Sequence, residues 1–335
     1  MPLFSFAPSA RRTLLALVAF ALFWPANAMA LSLMDPFNLP GAMDGGASKV
    51  GDDIAYADGP RHHLDVYAPE KRGDPAPVVF FIYGGGWNRG ERSDYQYLGR
   101  AFAARGFVTV IADYRLVPEV HYPEFLEDNA AALRWTQDHI AEYGGDPKRV
   151  FLAGHSAGAY NAVMLALEPS FRQEYGVTIP ILGVAALSGP YDFYPFEYGE
   201  VQNAFGDTDN PEGTQPINLV TSNAPAMFLA AGTTDPIVRV QNTENLAAKL
   251  QANGIWVTTK YYEGFGHMEP VIAIGALWRW RAPVLDDMVE FFTRFGAFPS
   301  GVPYAAVTPE APAGETERID RVMDQLDGLF EPVTK

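Results

Sequence analysis

Three polar residues of this sequence have the types that acyl transfer requires. Ser156 lies in the pentapeptide GHSAG, where an apolar run gives way to a helical pattern. His267 follows the last predicted strand in "GFGHME", and Asp235 follows an earlier one in "AAGTTDPIV". A serine hydroxyl is a weak nucleophile until a base takes its proton, and the base needs an acid that orients its ring and stabilises its cation. We therefore predict a catalytic triad of Ser156, His267 and Asp235.

The two glycines of the pentapeptide fit a sharp turn between a buried strand and a helix. Such a turn projects the hydroxyl of Ser156 clear of the sheet edge. A side chain at Gly154 or Gly158 would crowd the neighbouring strand or helix. The alternative is a small-residue packing turn in which the serine has no chemical function.

The base and the acid both have rivals in the sequence. The remaining histidines are His62, His63, His121, His139 and His155. His267 is preferred because it lies at the carboxyl end of the predicted sheet, where sites in open α/β sheets form. Asp192, which follows the preceding strand, is the rival of Asp235.

A glycine run offers hydrogen-bond donors for the negative charge that develops on a carbonyl oxygen. In "FFIYGGGWNRG" an apolar run ends in Gly84, Gly85 and Gly86. Backbone without side chains can approach a substrate oxygen and direct N–H groups at it. With the N–H of Ala157, at the start of the following helix, two or three donors are predicted to converge.

Alternating apolar runs and helical patterns position these residues. The predicted strands are 64–69, 77–83, 107–114, 149–154, 181–189, 226–232 and 257–262, and the predicted helices are 97–106, 125–145, 156–167, 241–254 and 282–296. This rhythm predicts an α/β fold with a mostly parallel central sheet flanked by helices. Residues 50–297 form one catalytic domain on this interpretation. Two excursions, about 190–220 and 268–281, are predicted to form a small cap over the site.

Aromatic residues are dense in the excursions and beside the glycine run. They are Tyr191, Phe193, Tyr194, Phe196, Tyr198, Trp278, Trp280 and Trp87. We predict that Trp87, Tyr83, Phe193 and Trp278 contact substrate in an apolar pocket. Packing of the cap against the core explains such residues equally well, so both interpretations stay open.

The first 30 residues have the layout of a secretory signal peptide. Arg11 and Arg12 precede an apolar run of about 12 residues, and small residues suit cleavage near Ala28 or Ala30. A membrane span needs about 20 residues, so an uncleaved anchor is the weaker alternative. The expected location is periplasmic or secreted, and the paired arginines leave both the general and the twin-arginine export routes open.

The chain flanking the predicted domain has a different composition. Residues 31–49, rich in Gly, Pro and Ala, are predicted to be a loose leader. Residues 298–335 are predicted to form a Pro-rich linker followed by an amphipathic helix at 315–330. We favour docking of that helix on its own domain over binding to a partner.

Composition narrows the possible ligands. The formal net charge of −16 argues against nucleic acid or an anionic membrane surface as the main partner. With no cysteine, thiolate catalysis and cysteine-ligated metals are excluded. The acidic loop at 206–213 lacks the ligand spacing of a calcium loop, so we predict no metal and no cofactor. The expected partner is a small-molecule ester, without stable membrane insertion after signal cleavage.

Taken together, the motifs "GGGW", "DYRLVPE", "GHSAG", "GTTDPIV" and "GFGH" resemble the hormone-sensitive-lipase-like and carboxylesterase branch of the α/β-hydrolases. The order Ser, Asp, His along the chain is also that of α/β-hydrolase triads. The resemblance implies that Gly85, Gly86 and Ala157 supply the oxyanion donors. The sequence departs from the family where Tyr83 replaces the usual histidine before the glycines. That phenol can keep a structural hydrogen bond or reach the oxyanion.

The resemblance implies a serine carboxylesterase for small or aromatic esters. The motifs also look like the subgroup that holds isoprenylcysteine methylesterases, arylformamidases and feruloyl-type esterases. An amidase or arylformamidase with the same triad therefore remains the alternative. A non-catalytic binding module is disfavoured, because such a module would normally have lost one of these residues.

Overall fold

One eight-stranded sheet forms the centre of the protein. The computed structural model describes residues 34–39, 43–71, 73–197 and 199–297. The strands are β1 (Ala47–Ala55), β2 (His63–Pro69), β3 (Ala76–Ile82), β4 (Val108–Ala112), β5 (Gly145–His155), β6 (Ile181–Leu187), β7 (Ala226–Gly232) and β8 (Val257–Tyr262). Their order in the sheet is β1-β2-β4-β3-β5-β6-β7-β8. The pairs β1/β2 and β2/β4 are antiparallel, and all others are parallel.

Helices connect the strands and pack on the sheet. They are α1 (Gln96–Ala104), α2 (Glu124–His139), α3 (Ala157–Leu167), α4 (Pro169–Glu174), α5 (Gly199–Phe205), α6 (Gln241–Ala252), α7 (Glu269–Ile272) and α8 (Val284–Arg294). In α8, the buried residues Val284, Leu285, Met288, Val289 and Phe292 recur at helical spacing and form one apolar face. This architecture confirms the predicted α/β-hydrolase fold.

The central strands are buried on both faces, because helices cover both sides of a parallel sheet. Every residue from Val78 to Ile82 in β3 is buried, as is every residue from Val150 to His155 in β5. Ser156 follows β5 directly, so its turn begins at the buried end of that strand.

The excursion 190–220 covers helix α3. It contains α5 and two short 3-10 helices, Pro211–Thr214 and Pro216–Leu219. Every residue of α3 is buried, and the hydroxyl of Tyr160 donates to the carbonyl of Thr214 at 2.8 Å. The excursion is therefore packed on the helix that follows the nucleophile.

The leader differs from its prediction where the structure describes it. Residues 34–39 are not loose, because Phe37 is buried and the side chain of Asn38 accepts from the N–H of Tyr97 at 3.0 Å. Arg279 donates to both carboxylate oxygens of Asp44 at 2.8 Å, and strand β1 starts within the predicted leader.

Two predictions concern parts of the chain outside the described residues. These are the signal peptide at 1–30 and the linker with its helix at 298–335. Within the described ranges, no helix has both the length and the hydrophobicity that a membrane crossing requires.

Candidate active site

Ser156 lies in the tight turn between β5 and α3. Its φ of 55° and ψ of −124° are a strained conformation for a residue with a side chain. A β-carbon at Gly158 would overlap the carbonyl oxygens of Ile82 and Tyr83, and one at Gly154 would overlap the carbonyl of Gly158. Both glycines are therefore required by close backbone packing, as the sequence predicted.

The structure brings Ser156, His267 and Asp235 together, although they are far apart in the sequence. The Nε2 atom of His267 lies 2.8 Å from Oγ of Ser156, and its Nδ1 lies 2.8 Å from Oδ2 of Asp235. The side chains of His267 and Asp235 are fully buried. This arrangement can pass a proton from hydroxyl to imidazole while the carboxylate stabilises the imidazolium.

The carboxylate of Asp235 is also held by the backbone. Its Oδ1 accepts from the N–H groups of Ile237 and Val238, each at 2.9 Å. Burial alone would raise the pKa of Asp235, but the charge and hydrogen bond of His267 and the two N–H donors outweigh it. The pKa therefore lies below its ordinary value. Asp235 stays ionised at neutral pH.

Hydrogen bonds also fix the loop that carries His267. Thr234 donates through its N–H and its hydroxyl to the carbonyl of Phe265, at 3.0 and 2.9 Å. The N–H of Gly266 donates to the carboxylate of Glu269, which pairs with Arg281 at 2.9 Å. Sequence reasoning missed Glu269, because nothing in "GHME" shows that this carboxylate folds back onto its own loop.

The rival residues lie elsewhere. Asp192 is exposed, and its carboxylate accepts from the side chain of Asn245 at 3.1 Å. Four histidines contact groups other than Ser156 and Asp235: His62 contacts Asp128, His63 contacts Asp53, His121 contacts the carbonyl of Asn203, and His139 contacts Glu142. His155 contacts the main chain of His267 and is considered separately below.

The glycine run lies against the nucleophile. A β-carbon at Gly84 would lie 2.9 Å from Cβ of Ser156, which requires glycine there. Gly85 and Gly86 have φ of 125° and 57°, in the region that favours glycine. Within the described ranges, the N–H groups of Gly85, Gly86 and Ala157 donate to no other backbone group. Their convergence on a substrate oxygen stays a prediction.

A carboxylate of the cap also touches this run. A β-carbon at Gly86 would overlap Oε2 of Glu200 in α5. The other oxygen of Glu200 accepts from the side chains of Asn88, at 3.1 Å, and Arg89. Sequence reasoning missed Glu200, because only the folded cap places it beside the glycines.

The side chain of Tyr83 makes structural contacts, and its contact with substrate stays a prediction. Its side chain is fully buried, and its hydroxyl donates to Asp113 at 2.9 Å while accepting from Arg61 at 2.7 Å. Because the phenol uses its one hydrogen in the bond to Asp113, it cannot also donate to an oxyanion. Tyr83 has the structural role that the sequence left open.

The predicted pocket aromatics fall into two groups. Trp87 is 1% exposed, packs on Phe193 and Phe205 with ring centroids 6.4 and 4.8 Å away, and donates to Asn161 at 3.1 Å. Trp278 instead packs on Phe37 at 5.8 Å. These contacts are those of cap packing, and Tyr198 lies outside the described residues. Substrate contact by Trp87, Phe193 and Trp278 stays a prediction.

Among the residues described, no group of three or more His, Asp or Glu side chains is arranged to hold a metal ion.

Comparison with known proteins gives a family match and several relatives. The family model BD-FAE matches residues 64–250, more than half of the chain. A probable isoprenylcysteine alpha-carbonyl methylesterase of Oryza sativa subsp. japonica is 29% identical over 246 residues, covering 67% of this chain and 58% of that protein. The esterase LipC of Mycobacterium tuberculosis is 30% identical over 224 residues, covering 59% of this chain and 54% of that protein. The chain thus spans a little over half the length of these curated relatives.

The fold has solved counterparts. The crystal structure of esterase B from Lactobacillus rhamnosis superposes with a TM-score of 0.68 at 19% identity, covering 96% of each chain. At that identity the likeness concerns the fold.

Proposed function

The chain belongs to the BD-FAE family of carboxylesterase-like α/β-hydrolases, and on this premise we propose that it is a serine carboxylesterase for small or aromatic carboxylic esters. The observation that carries the proposal is the pair of 2.8 Å contacts that join Ser156 to His267 and His267 to Asp235. The methylesterase and esterase names of the relatives support the reaction class.

Acylation follows from the geometry. Oγ of Ser156 attacks the ester carbonyl, and Nε2 of His267 takes the hydroxyl proton. The N–H groups of Gly85, Gly86 and Ala157 stabilise the negative charge on the tetrahedral oxygen. The imidazolium then donates its proton to the departing alcohol, which leaves an acyl-enzyme on Ser156.

Deacylation reuses the same groups. His267 takes a proton from water as the water oxygen attacks the acyl carbonyl. The tetrahedral intermediate then collapses, the bond from the acyl carbon to Oγ of Ser156 breaks, and the carboxylic acid leaves while His267 returns the proton to Oγ. Because the pKa of Asp235 is lowered, its carboxylate stays ionised and stabilises the imidazolium in both halves of the reaction.

A panel of p-nitrophenyl esters of graded acyl length, with matching anilides, tests the proposal. Ser156→Ala is expected to lower kcat by about 10⁴-fold or more, because the nucleophile is lost. The control is Ser170→Ala, which removes an exposed hydroxyl from α4 and is expected to retain wild-type rates.

Two outcomes would change the proposal. Equal rates for wild type and Ser156→Ala would remove the assignment as a serine hydrolase. Anilides cleaved as fast as esters would favour an amidase, which uses the same triad.

We also propose that the protein is exported and cleaved near Ala28 or Ala30. The charged, apolar and small-residue regions of the first 30 residues support this. N-terminal sequencing of exported protein is expected to give a mature chain that starts near residue 29 or 31. A chain that still begins at Met1 in the membrane fraction would refute cleavage.

A further inference from the structure

We propose that His155 is a positioning residue that ties the loop of the base to the turn of the nucleophile. The proposal rests on the proposed esterase function for its catalytic meaning, but its geometry stands by itself. His155 is the last residue of β5, immediately before Ser156, and it is 1% exposed.

Besides the contact between His267 and Ser156, a second hydrogen bond joins the two segments. The Nε2 atom of His155 lies 2.9 Å from the main-chain carbonyl oxygen of His267, and the two imidazole rings are 4.9 Å apart. A carbonyl oxygen only accepts hydrogen bonds, so Nε2 of His155 carries the proton and donates. The tautomer of His155 is thereby fixed.

This bond acts on the distance that matters for proton transfer. The side chain of His267 reaches Asp235 and Ser156, while its carbonyl is anchored by His155. Because His155 and Ser156 are consecutive, the anchor and the nucleophile move as one unit. A shift of the His267 loop relative to the turn that carries Ser156 would lengthen the contact between Oγ of Ser156 and Nε2 of His267. A misplacement of about 1 Å can lower the rate by about 10²-fold.

The other ring nitrogen of His155, Nδ1, is not needed for this role. Nδ1 of His155 is buried without a hydrogen-bond partner in the described part of the chain, and a β-carbon at Gly84 would lie 3.1 Å from it. Burial lowers the pKa of His155 to about 3, so the ring stays neutral beside the imidazolium that forms on His267. The role we assign therefore needs only a neutral donor at the position of Nε2.

Two substitutions distinguish the effect of the hydrogen-bond donor from the effect of the ring's volume. In His155→Gln, the amide nitrogen reaches about as far as Nε2 and retains a neutral donor, whereas His155→Leu removes the donor. We expect the Leu variant to lose about 10–100-fold in kcat with little change in KM, and the Gln variant to recover most of it. His139→Gln, at an exposed site on α2, is the matched control.

A substrate-independent measurement distinguishes failure of this proposal from failure of the esterase assignment. The rate at which a fluorophosphonate probe labels Ser156 reports nucleophile activation whether or not an ester substrate has been found. The downfield ¹H NMR signal of the Nδ1–H of His267 reports its bond to Asp235. Both are expected to weaken in the Leu variant and to persist in the Gln variant.

Several outcomes decide the matter. A Leu variant that labels and turns over like wild type would overturn the positioning role alone. A folded Gln variant as impaired as the Leu variant would also overturn it, because the donor would then be irrelevant. If the Leu variant does not fold, His155→Asn replaces it, since its shorter amide cannot reach the carbonyl. Slow labelling of the Leu variant in a protein that cleaves no ester would sustain the positioning role and reject the esterase.

Discussion

At the scale of single residues, the carboxylate of Asp235 fixes which nitrogen of His267 carries the proton. It accepts from Nδ1 at 2.8 Å, so Nε2 is the nitrogen that accepts from the hydroxyl of Ser156. An amide at this position can donate to Nδ1 and so favour the tautomer with hydrogen on Nε2. We expect Asp235→Asn to lower kcat by about 10⁴-fold with little change in KM, measured by steady-state ester hydrolysis.

The chain offers a matched control for that substitution. Asp192→Asn makes the same chemical change on an exposed residue that contacts Asn245. It is expected to stay within about twofold of wild type, since surface substitutions away from a site have small effects. A larger loss in Asp192→Asn than in Asp235→Asn would reverse the assignment of the acid.

The buried imidazole of His155 leads to a second prediction, which concerns how the free energy of unfolding depends on pH. Burial lowers the pKa of His155 from the ordinary 6.5 to about 3 in the folded protein. Between these values the unfolded chain binds a proton that the native state does not, so stability rises with pH and falls as pH drops below about 6.5. The slope from this one group approaches about 1.4 kcal/mol per pH unit.

The variant His155→Gln removes this titration. Urea unfolding of wild type and variant between pH 4.5 and 7.5 is expected to give free energies of unfolding that diverge as the pH falls, with wild type losing more. Parallel curves would contradict the lowered pKa of His155.

Some contacts can be predicted from position in the sequence, whereas others depend on which groups the folded chain brings together. The proximity of Ser156 and His267 could be predicted because both residues follow predicted strands whose carboxyl ends meet at one edge of the sheet. The contacts of Tyr83, Glu200 and His155 depend on which groups the folded chain brings to them. Tyr83 shows this most clearly, because its phenol serves Asp113 rather than the site.

At the scale of elements, the crossing of α3 over β3 sets the shape of the nucleophile turn. The contact has no room for a side chain, because a β-carbon at Gly158 would overlap two carbonyl oxygens of the chain at the end of β3. These are backbone atoms of a buried strand, so they cannot move cheaply. We expect Gly158→Ala to destabilise the protein by about 3 kcal/mol and to abolish activity, measured by urea unfolding and ester hydrolysis.

Gly45→Ala is the control for this element. A β-carbon there meets nothing within 4 Å, and the residue precedes β1. Its expected effect on the free energy of unfolding is within about 0.5 kcal/mol. A mild effect of Gly158→Ala would mean that α3 can withdraw from the strand without loss.

Comparing the predicted and observed strands shows which kind of strand can be predicted from the sequence. β7 and β8 have the predicted bounds, 226–232 and 257–262, and the other predicted strands lie within a few residues of the observed ends. β1 was missed because its sequence, "ASKVGDDIA", holds no apolar run, and most of its residues are at least partly exposed. It lies at the edge of the sheet beside β2, outside the buried central strands, so the hydrophobic pattern carries little information about it.

At the scale of the whole molecule, the surplus of acidic residues acts on every approaching ligand. The net charge is −16 for the full chain and −18 without the first 30 residues, which carry two arginines and no acidic residue. Glu200 adds a local carboxylate beside the glycine run, although Arg89 and Asn88 bind it. The field of such a protein lowers the local concentration of anionic substrates.

Salt should therefore change the selectivity between charged and neutral esters. The Debye length shrinks from about 30 Å at 0.01 M ionic strength to about 10 Å at 0.1 M, which screens charges far from the site. Over this range we expect kcat/KM for an anionic ester, p-nitrophenyl hemisuccinate, to rise about two- to fivefold. The neutral p-nitrophenyl butyrate is expected to change little, because the field exerts no net force on it. If both esters responded equally, salt would be acting on the protein itself, and the net charge would have no part in selecting its substrates.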